Sequence, residues 1–201
     1  MNLPNKITMS RIILTIIIIV IMLFPFESAG LELPKLFVNE TLVIDSKYIV
    51  VGVLFIIASL TDFVDGMLAR KRNLITDFGK MIDAIADKVL VNTVLVVLAS
   101  SGFISPIIPV VIIFRDTIVD SIKMVAGSKG NVVAASKTGK YKTAFMMVGI
   151  TLTLFYNLPF ELMNVRVSDV LLIIACILSV VSAVEYYSLN KKYIFGENNN
   201  Y

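Results

Sequence analysis

Apolar runs recur along this chain at the length that spans a lipid bilayer. A helix needs about 20 mostly apolar residues to cross the hydrocarbon core. Runs of that kind cover about 8–24, 48–70, 77–100, a stretch from the turn at 102–106 to near 125, a stretch from 142 to about 157, and 167–189. Pro25 stops the first, because proline cannot continue the helical ladder. Hydrophobic residues make up 57% of the 201, above the roughly 45–50% of an ordinary soluble domain. The expectation is one domain over residues 1–201, an all-α integral membrane protein of six transmembrane helices. The stretch 27–47 reads as polar, the first helix as retained rather than cleaved, and the tail 190–201 as frayed.

Charge placement gives the orientation. Six spans put both termini on one side, and of the 18 lysines and arginines only Lys35, Lys47 and Arg166 fall on the other. Cytoplasmic loops carry the excess of Lys and Arg. The termini, and any cavity opening among the basic residues, are therefore expected to face the cytoplasm, with the chain a multi-pass protein of the cell membrane. The chain has no His and one cysteine, Cys176 in an apolar run, which excludes histidine chemistry and an intrachain disulfide. The net charge of +3 gives no reason to expect nucleic acid as a partner.

Residues 61–88 do not suit a bilayer without a purpose. An aspartate at the bilayer centre costs about 2.5–3.5 kcal/mol on insertion scales, and ionisable groups there default to a functional reading. At about 100° per residue, Asp62, Asp65, Gly66, Ala69 and Arg70 share one helical face, and Gly79, Asp83 and Asp87 share another. A short basic turn makes the two helices antiparallel neighbours, so four carboxylates confront one another. Together they cannot all stay ionised without positive charge between them. Hard oxygen donors suit Mg²⁺ or Mn²⁺, and two such ions make a clamp for phosphoryl transfer. Arg70 adds a fork for phosphate. The competing reading is a structural network pairing these acids with Arg70, Lys71, Arg72, Lys80 and Lys88. Asp77 alone reads as a helix cap.

The string Asp62-x-x-Asp65-Gly66-x-x-Ala69-Arg70, then eight residues, then Gly79-x-x-x-Asp83-x-x-x-Asp87 resembles the signature of the CDP-alcohol phosphotransferase family at all eight positions. The resemblance implies six transmembrane helices, a homodimer, and transfer of a substituted phosphate from a CDP-linked donor to an alcohol with release of CMP. It implies that Asp62, Asp65, Asp83 and Asp87 ligate metal, with Asp87 also the general base, and that Asp62, Gly66, Ala69, Arg70 and Gly79 line the CDP site.

Two further segments are similar to the branch of that family that makes phosphatidylglycerophosphate. One is the opening Asn2-x-Pro4-x-x-x-Thr8-x-x-Arg11, which puts Thr8 and Arg11 beside the donor; Arg11 reads equally as a snorkelling anchor. The other is Arg115-Asp116 with the stretch 134–143. Asp116 stands where related enzymes often carry glutamate. An arginine inside a span is costly unless used, and glycerol 3-phosphate brings a dianionic phosphate that needs cations. Arg115, Lys137, Lys140 and Lys142 are the candidates, although the lysines also suit anionic lipid headgroups. The reaction implied takes CDP-diacylglycerol and glycerol 3-phosphate, with Mg or Mn in two ions per site, to phosphatidylglycerophosphate in phospholipid biosynthesis. Alternatives are another acceptor (inositol phosphate, serine or phosphatidylglycerol) and, in a different class, a Mg²⁺-binding transporter.

The charge asymmetry is open to test. A cysteine introduced within 27–47 should react with an impermeant thiol reagent on intact cells, whereas one within 127–130 should react only after the membrane is opened. The opposite pattern would invert the orientation.

Overall fold

The computed structural model describes residues 3–31, 33–38, 42–71, 77–130 and 136–195, and within these it leaves aside the side chains of 3–7, 42, 62–71, 77, 78, 80 and 192–195. Among the described residues there are six α-helices: α1 (Leu3–Leu23), α2 (Ser46–Lys71), α3 (Asp77–Ser100), α4 (Ile107–Ser128), α5 (Lys137–Leu154) and α6 (Val167–Phe195). A hairpin of β1 (Lys35–Val38) and β2 (Leu42–Asp45) lies between α1 and α2, and a 3-10 turn, Phe160–Met163, precedes α6.

Helical spacing decides what each helix buries. On α1 the buried residues Thr8, Arg11, Thr15, Ile18 and Met22 recur every three or four positions, and this stripe packs against both α2 and α3. On α6 the stripe is Ser168, Leu172, Ala175, Ser179, Ser182, Tyr186 and Asn190, packed along α5 and α4. Small residues on that stripe let backbones approach closely. Gly149 of α5 shows how closely: a Cβ there would stand 2.9 Å from two carbons of Leu172. Contacts of α2 with α5, and of α3 with α4, join the two halves around an apolar centre that includes Phe55, Leu90, Leu98, Ile112 and Ile150.

Large apolar side chains also cover the outside. Ile13, Val20, Ile107, Val110, Phe114, Ile177 and Val184 are all exposed, more than a water-facing surface normally shows. Among the described residues one helix is by length and composition apolar enough to cross a membrane, Val167–Lys191, with mean hydropathy 2.6 and only 28% of its apolar stretch buried. That low burial separates it from the core helix of a soluble domain.

The two ends of the bundle differ in character. Tyr48 at the start of α2, Phe103 after α3 and Tyr156 after α5 cluster with ring centroids 4.6–6.0 Å apart, Tyr156 meeting both others edge to face. The Tyr156 hydroxyl accepts from the Asp45 amide at 3.0 Å, fastening the hairpin to that end. Asp45 also accepts from the Lys47 amide at 3.2 Å, a cap for α2. The start of α3, the end of α4 and the start of α5 therefore lie at the opposite end, with the basic residues.

Several boundaries correct the sequence reading. The stretch 27–47 is not merely polar, because Leu36 pairs with Ile44 and Phe37 with Val43 in an antiparallel register. The segment before residue 142 is already helical from Lys137, where the Ser136 hydroxyl accepts from the Gly139 amide at 3.1 Å. The tail expected to fray at 190 instead continues α6 to Phe195: Asn190 is buried, and its amide donates to the Tyr186 carbonyl at 2.8 Å. The turn expected to pair α2 with α3 lies outside the described residues.

Asn157 closes the turn between α5 and α6. It sits in the left-handed region at φ +56, which asparagine tolerates better than most residues. Its amide donates to Glu161 at 3.0 Å and to the Val165 carbonyl at 2.7 Å, and its oxygen accepts from the Ser168 amide at 3.0 Å. The Val165 carbonyl keeps the Val167 amide as a donor, so Asn157→Ala orphans the buried Ser168 amide, at about 1–3 kcal/mol. Thermal unfolding in detergent should show a loss of that size; a melting temperature equal to wild type would mean that the turn is held elsewhere.

Candidate active site

Two knots of charge organise the basic end. In the first, Arg11 of α1 is fully buried and its guanidinium turns inward, with Nη2 ion-paired to the Asp83 carboxylate and 3.3 Å from the Asp83 carbonyl. A buried arginine is costly unless paired, so the snorkelling reading of Arg11 does not hold. The Thr15 hydroxyl donates to the Arg11 carbonyl at 2.8 Å. Thr8 is buried on the same stripe, and Gly79 lies half-buried one turn before Asp83.

The second knot centres on Asp116 of α4. Its Oδ1 accepts from Lys142 Nζ at 2.7 Å and from Arg115 Nη1 at 2.8 Å, and its Oδ2 accepts from Lys142 at 2.9 Å. Arg115 Nε donates to the Ser179 carbonyl at 3.0 Å, and Nη2 donates to the Ser182 hydroxyl. Arg115 thus clamps α4 to α6, while Lys142 clamps α5 to α4. Tyr186 of α6 has the Arg115 guanidinium 5.8 Å and the Lys123 ammonium 5.1 Å from its ring centroid. Its hydroxyl accepts from the Ser136 amide at 3.0 Å.

Between α3, α4, α5 and α6 this second knot borders a cavity of about 260 Å³. Asp87, Arg115, Lys140 and Lys142 all line it, which brings four of the residues expected from the sequence onto one space. Lys137 is exposed and stands outside the lining. Asp83 lies on the Arg11 side. The side chains of Asp62, Asp65, Gly66, Ala69 and Arg70 lie outside the described residues. Sequence reasoning missed Asp120, ion-paired to Lys88, and the whole contribution of α6, where Ser179, Ser182 and Tyr186 recur at three- and four-residue steps. That spacing was visible; in so apolar a helix it carried no sign of a purpose.

Among the described residues no three acids, histidines or cysteines gather closely enough to hold a metal ion. Asp83 and Asp87 do offer hard oxygens one turn apart on α3, chemistry that suits Mg²⁺ or Mn²⁺. A carboxylate has two oxygens, so the bond from Arg11 to Asp83 Oδ1 leaves Oδ2 for a further partner.

Residues 1–181 match the model of the CDP-alcohol phosphatidyltransferase family. The chain belongs to that family. CDP-alcohol phosphatidyltransferases are membrane enzymes that use a divalent metal ion. A Bacillus subtilis family member named CDP-diacylglycerol–glycerol-3-phosphate 3-phosphatidyltransferase is 42% identical over 189 residues, covering 94% of this chain and 95% of its own. Proteins of the same name from Rickettsia felis, 30% identical over 96% of this chain and 97% of theirs, and from Mycoplasma pneumoniae, 32% identical over 77% and 68%, are similar as well.

The Asp116 knot makes a measurable claim about this CDP-alcohol phosphatidyltransferase. Removing one partner of a buried ion pair typically costs about 3–5 kcal/mol, and Asp116→Ala leaves two buried cations facing each other. Thermal unfolding in detergent should show a loss of that order, against a smaller loss of about 1.5–3 kcal/mol for Ser182→Ala, which removes one bond to the Arg115 guanidinium. Equal, small losses would place the fastening outside Asp116.

Proposed function

We propose that this chain transfers the phosphatidyl group of CDP-diacylglycerol to glycerol 3-phosphate, giving phosphatidylglycerophosphate and CMP. One observation carries the choice of acceptor. Five cationic side chains (Lys88, Arg115, Lys123, Lys140, Lys142) and three carboxylates (Asp87, Asp116, Asp120) line the cavity, an excess of positive charge that matches a dianionic phosphate beside a candidate base. At about 260 Å³ it falls just under the roughly 300–1,000 Å³ of drug-sized ligand pockets, which suits a three-carbon phosphate and not a nucleotide-linked lipid. Full-length similarity to relatives bearing that activity's name supports the same choice.

In this reading Arg115, Lys140 and Lys142 hold the acceptor's phosphate, with Lys137 at the rim. Asp87 takes the proton of the primary hydroxyl as its oxygen bonds to the lipid-bearing phosphorus. The bond from that phosphorus to the CMP oxygen breaks, and the lipid product stays in the membrane. Thr8, Arg11, Asp62, Gly66, Ala69, Arg70 and Gly79 form the donor side. Asp62, Asp65, Asp83 and Asp87 would hold the divalent metal, Mg or Mn in two ions; when bound it neutralises diphosphate charge as the leaving group departs.

All six helices cross the cell membrane in this proposal, with termini and cavity on the cytoplasmic side. The alternating course of the helices and the basic end support it. The chain acts as one domain over 1–201 and as a homodimer.

Purified protein in detergent with Mg²⁺, CDP-diacylglycerol and glycerol 3-phosphate should release CMP and form phosphatidylglycerophosphate. Loss of a general base typically costs about 10²–10⁴-fold in rate, so Asp87→Asn should do so without lowering the melting temperature. Lys140 is exposed and not bonded to the Asp116 knot. Lys140→Ala should therefore raise the apparent KM for glycerol 3-phosphate about tenfold and leave that for the donor unchanged. CMP release supported by inositol phosphate or serine but not by glycerol 3-phosphate would reassign the acceptor.

A further inference from the structure

Asn92 sits on α3 one turn beyond Lys88 and lines the same cavity, half-buried. A carboxamide offers two donors and an acceptor with two lone pairs, and within a membrane helix bundle such a group is retained at a cost. Its neighbours in the cavity wall are engaged. Lys88 pairs with Asp120, Asp116 with Lys142 and Arg115, and the Thr143 hydroxyl donates to the Gly139 carbonyl at 3.1 Å. Asn92 makes no side-chain hydrogen bond among the described residues, and nor does Asp87. Both are polar groups on α3 that present spare bonding capacity to the cavity.

Position and chemistry narrow what Asn92 meets. Five residues of helix separate the Cα atoms of Asp87 and Asn92 by about 7.5 Å of rise. Helical side chains all lean the same way, over the preceding turn, so the carboxamide and the Asp87 carboxylate keep roughly that spacing, within the span of one small acceptor bonded to both. The phosphate end of the acceptor already has cations. A neutral group that both donates and accepts complements another group that does both, and in glycerol 3-phosphate that is the secondary hydroxyl, one carbon from the reacting one. Val91 and Met146 supply apolar wall for the carbon chain between.

We propose that Asn92 is a specificity-determining residue, its carboxamide hydrogen-bonding the acceptor's non-reacting hydroxyl. This rests on the glycerol 3-phosphate reading and adds to it that the enzyme selects a phosphorylated polyol over a phosphorylated simple alcohol.

The test compares glycerol 3-phosphate with 3-hydroxypropyl phosphate, which lacks only the secondary hydroxyl, in wild type, Asn92→Ala and the size-matched Asn92→Leu. Wild type should prefer glycerol 3-phosphate about tenfold or more in kcat/KM. Either variant should bring that preference to within about threefold of unity, chiefly by losing activity on glycerol 3-phosphate. A purely structural role lowers both acceptors alike and leaves the ratio in place. Turnover of glycerol 3-phosphate with the same ratio in wild type and in whichever variant folds overturns the assignment of Asn92 and leaves the reaction standing. A wild type that turns over neither acceptor overturns the reaction and, with it, this inference.

Discussion

A carboxylate shared between two cations, deep in an apolar bundle, is the constraint from which the basic end takes its shape. Asp116 is only 15% exposed and Lys142 only 5% at their side chains, so none of the three charges of this knot can turn to bulk water for solvation. Each is tolerable only because the others are within hydrogen-bond reach. The consequence is mechanical. Lys142 of α5 must stay against α4, and Arg115 of α4 must stay against α6, where the Ser179 carbonyl and the Ser182 hydroxyl complete its bonds. Larger residues at 179 and 182 would hold the helices apart, so the small polar stripe of α6 follows from the charge on α4. The cavity is what remains open beside these fixed contacts.

The Arg11–Asp83 pair does the corresponding work between α1 and α3. Asp83 and Asp87 follow each other by one turn, yet their surroundings differ: the first is claimed by α1, while the second lines the cavity bordered by α4, α5 and α6. In the proposed reaction this divides the two substrates across one helix, with the nucleotide on the α1 side and the small phosphate on the other. Asp87 stands between them, the place from which a base can move a proton off the acceptor as it approaches the donor.

The helices were legible because bilayer length and apolar runs leave few alternatives, and their number follows from the runs at 8–24, 48–70 and onward. Asp83 and Asp87 stood out in the sequence because charge in such runs is expensive, and their four-residue step puts them one turn apart on α3. Other features depended on pairing, which no spacing rule reveals. That Arg115 would spend three of its N–H groups on α6 and on its own neighbour could not be read from the position of Arg115 in α4. The hairpin escaped notice because its strands are four residues each and stand among polar neighbours. The end of α6 was misplaced because Lys191 and Lys192 resemble the start of a tail, while Asn190, beneath them, is buried and bonded into the helix.

The arrangement of cations also bears on how a phosphate is held. Arg115 and Lys142 are already fixed by Asp116, so they present a preformed positive surface whose ordering was settled on folding. Such preorganised groups need not rearrange as charge shifts during a reaction. The same pairing weakens them as ligands, since Asp116 cancels one of their two charges. Lys123 and Lys140 are exposed, are not part of that knot, and line the same cavity; they restore the excess that a dianion requires. An exposed lysine attracts through its field and releases easily, whereas a buried arginine orients. A site that must bind a dianion, align its hydroxyl and then let a heavier lipid product leave is better served by one fixed pair and two mobile charges than by four fixed ones.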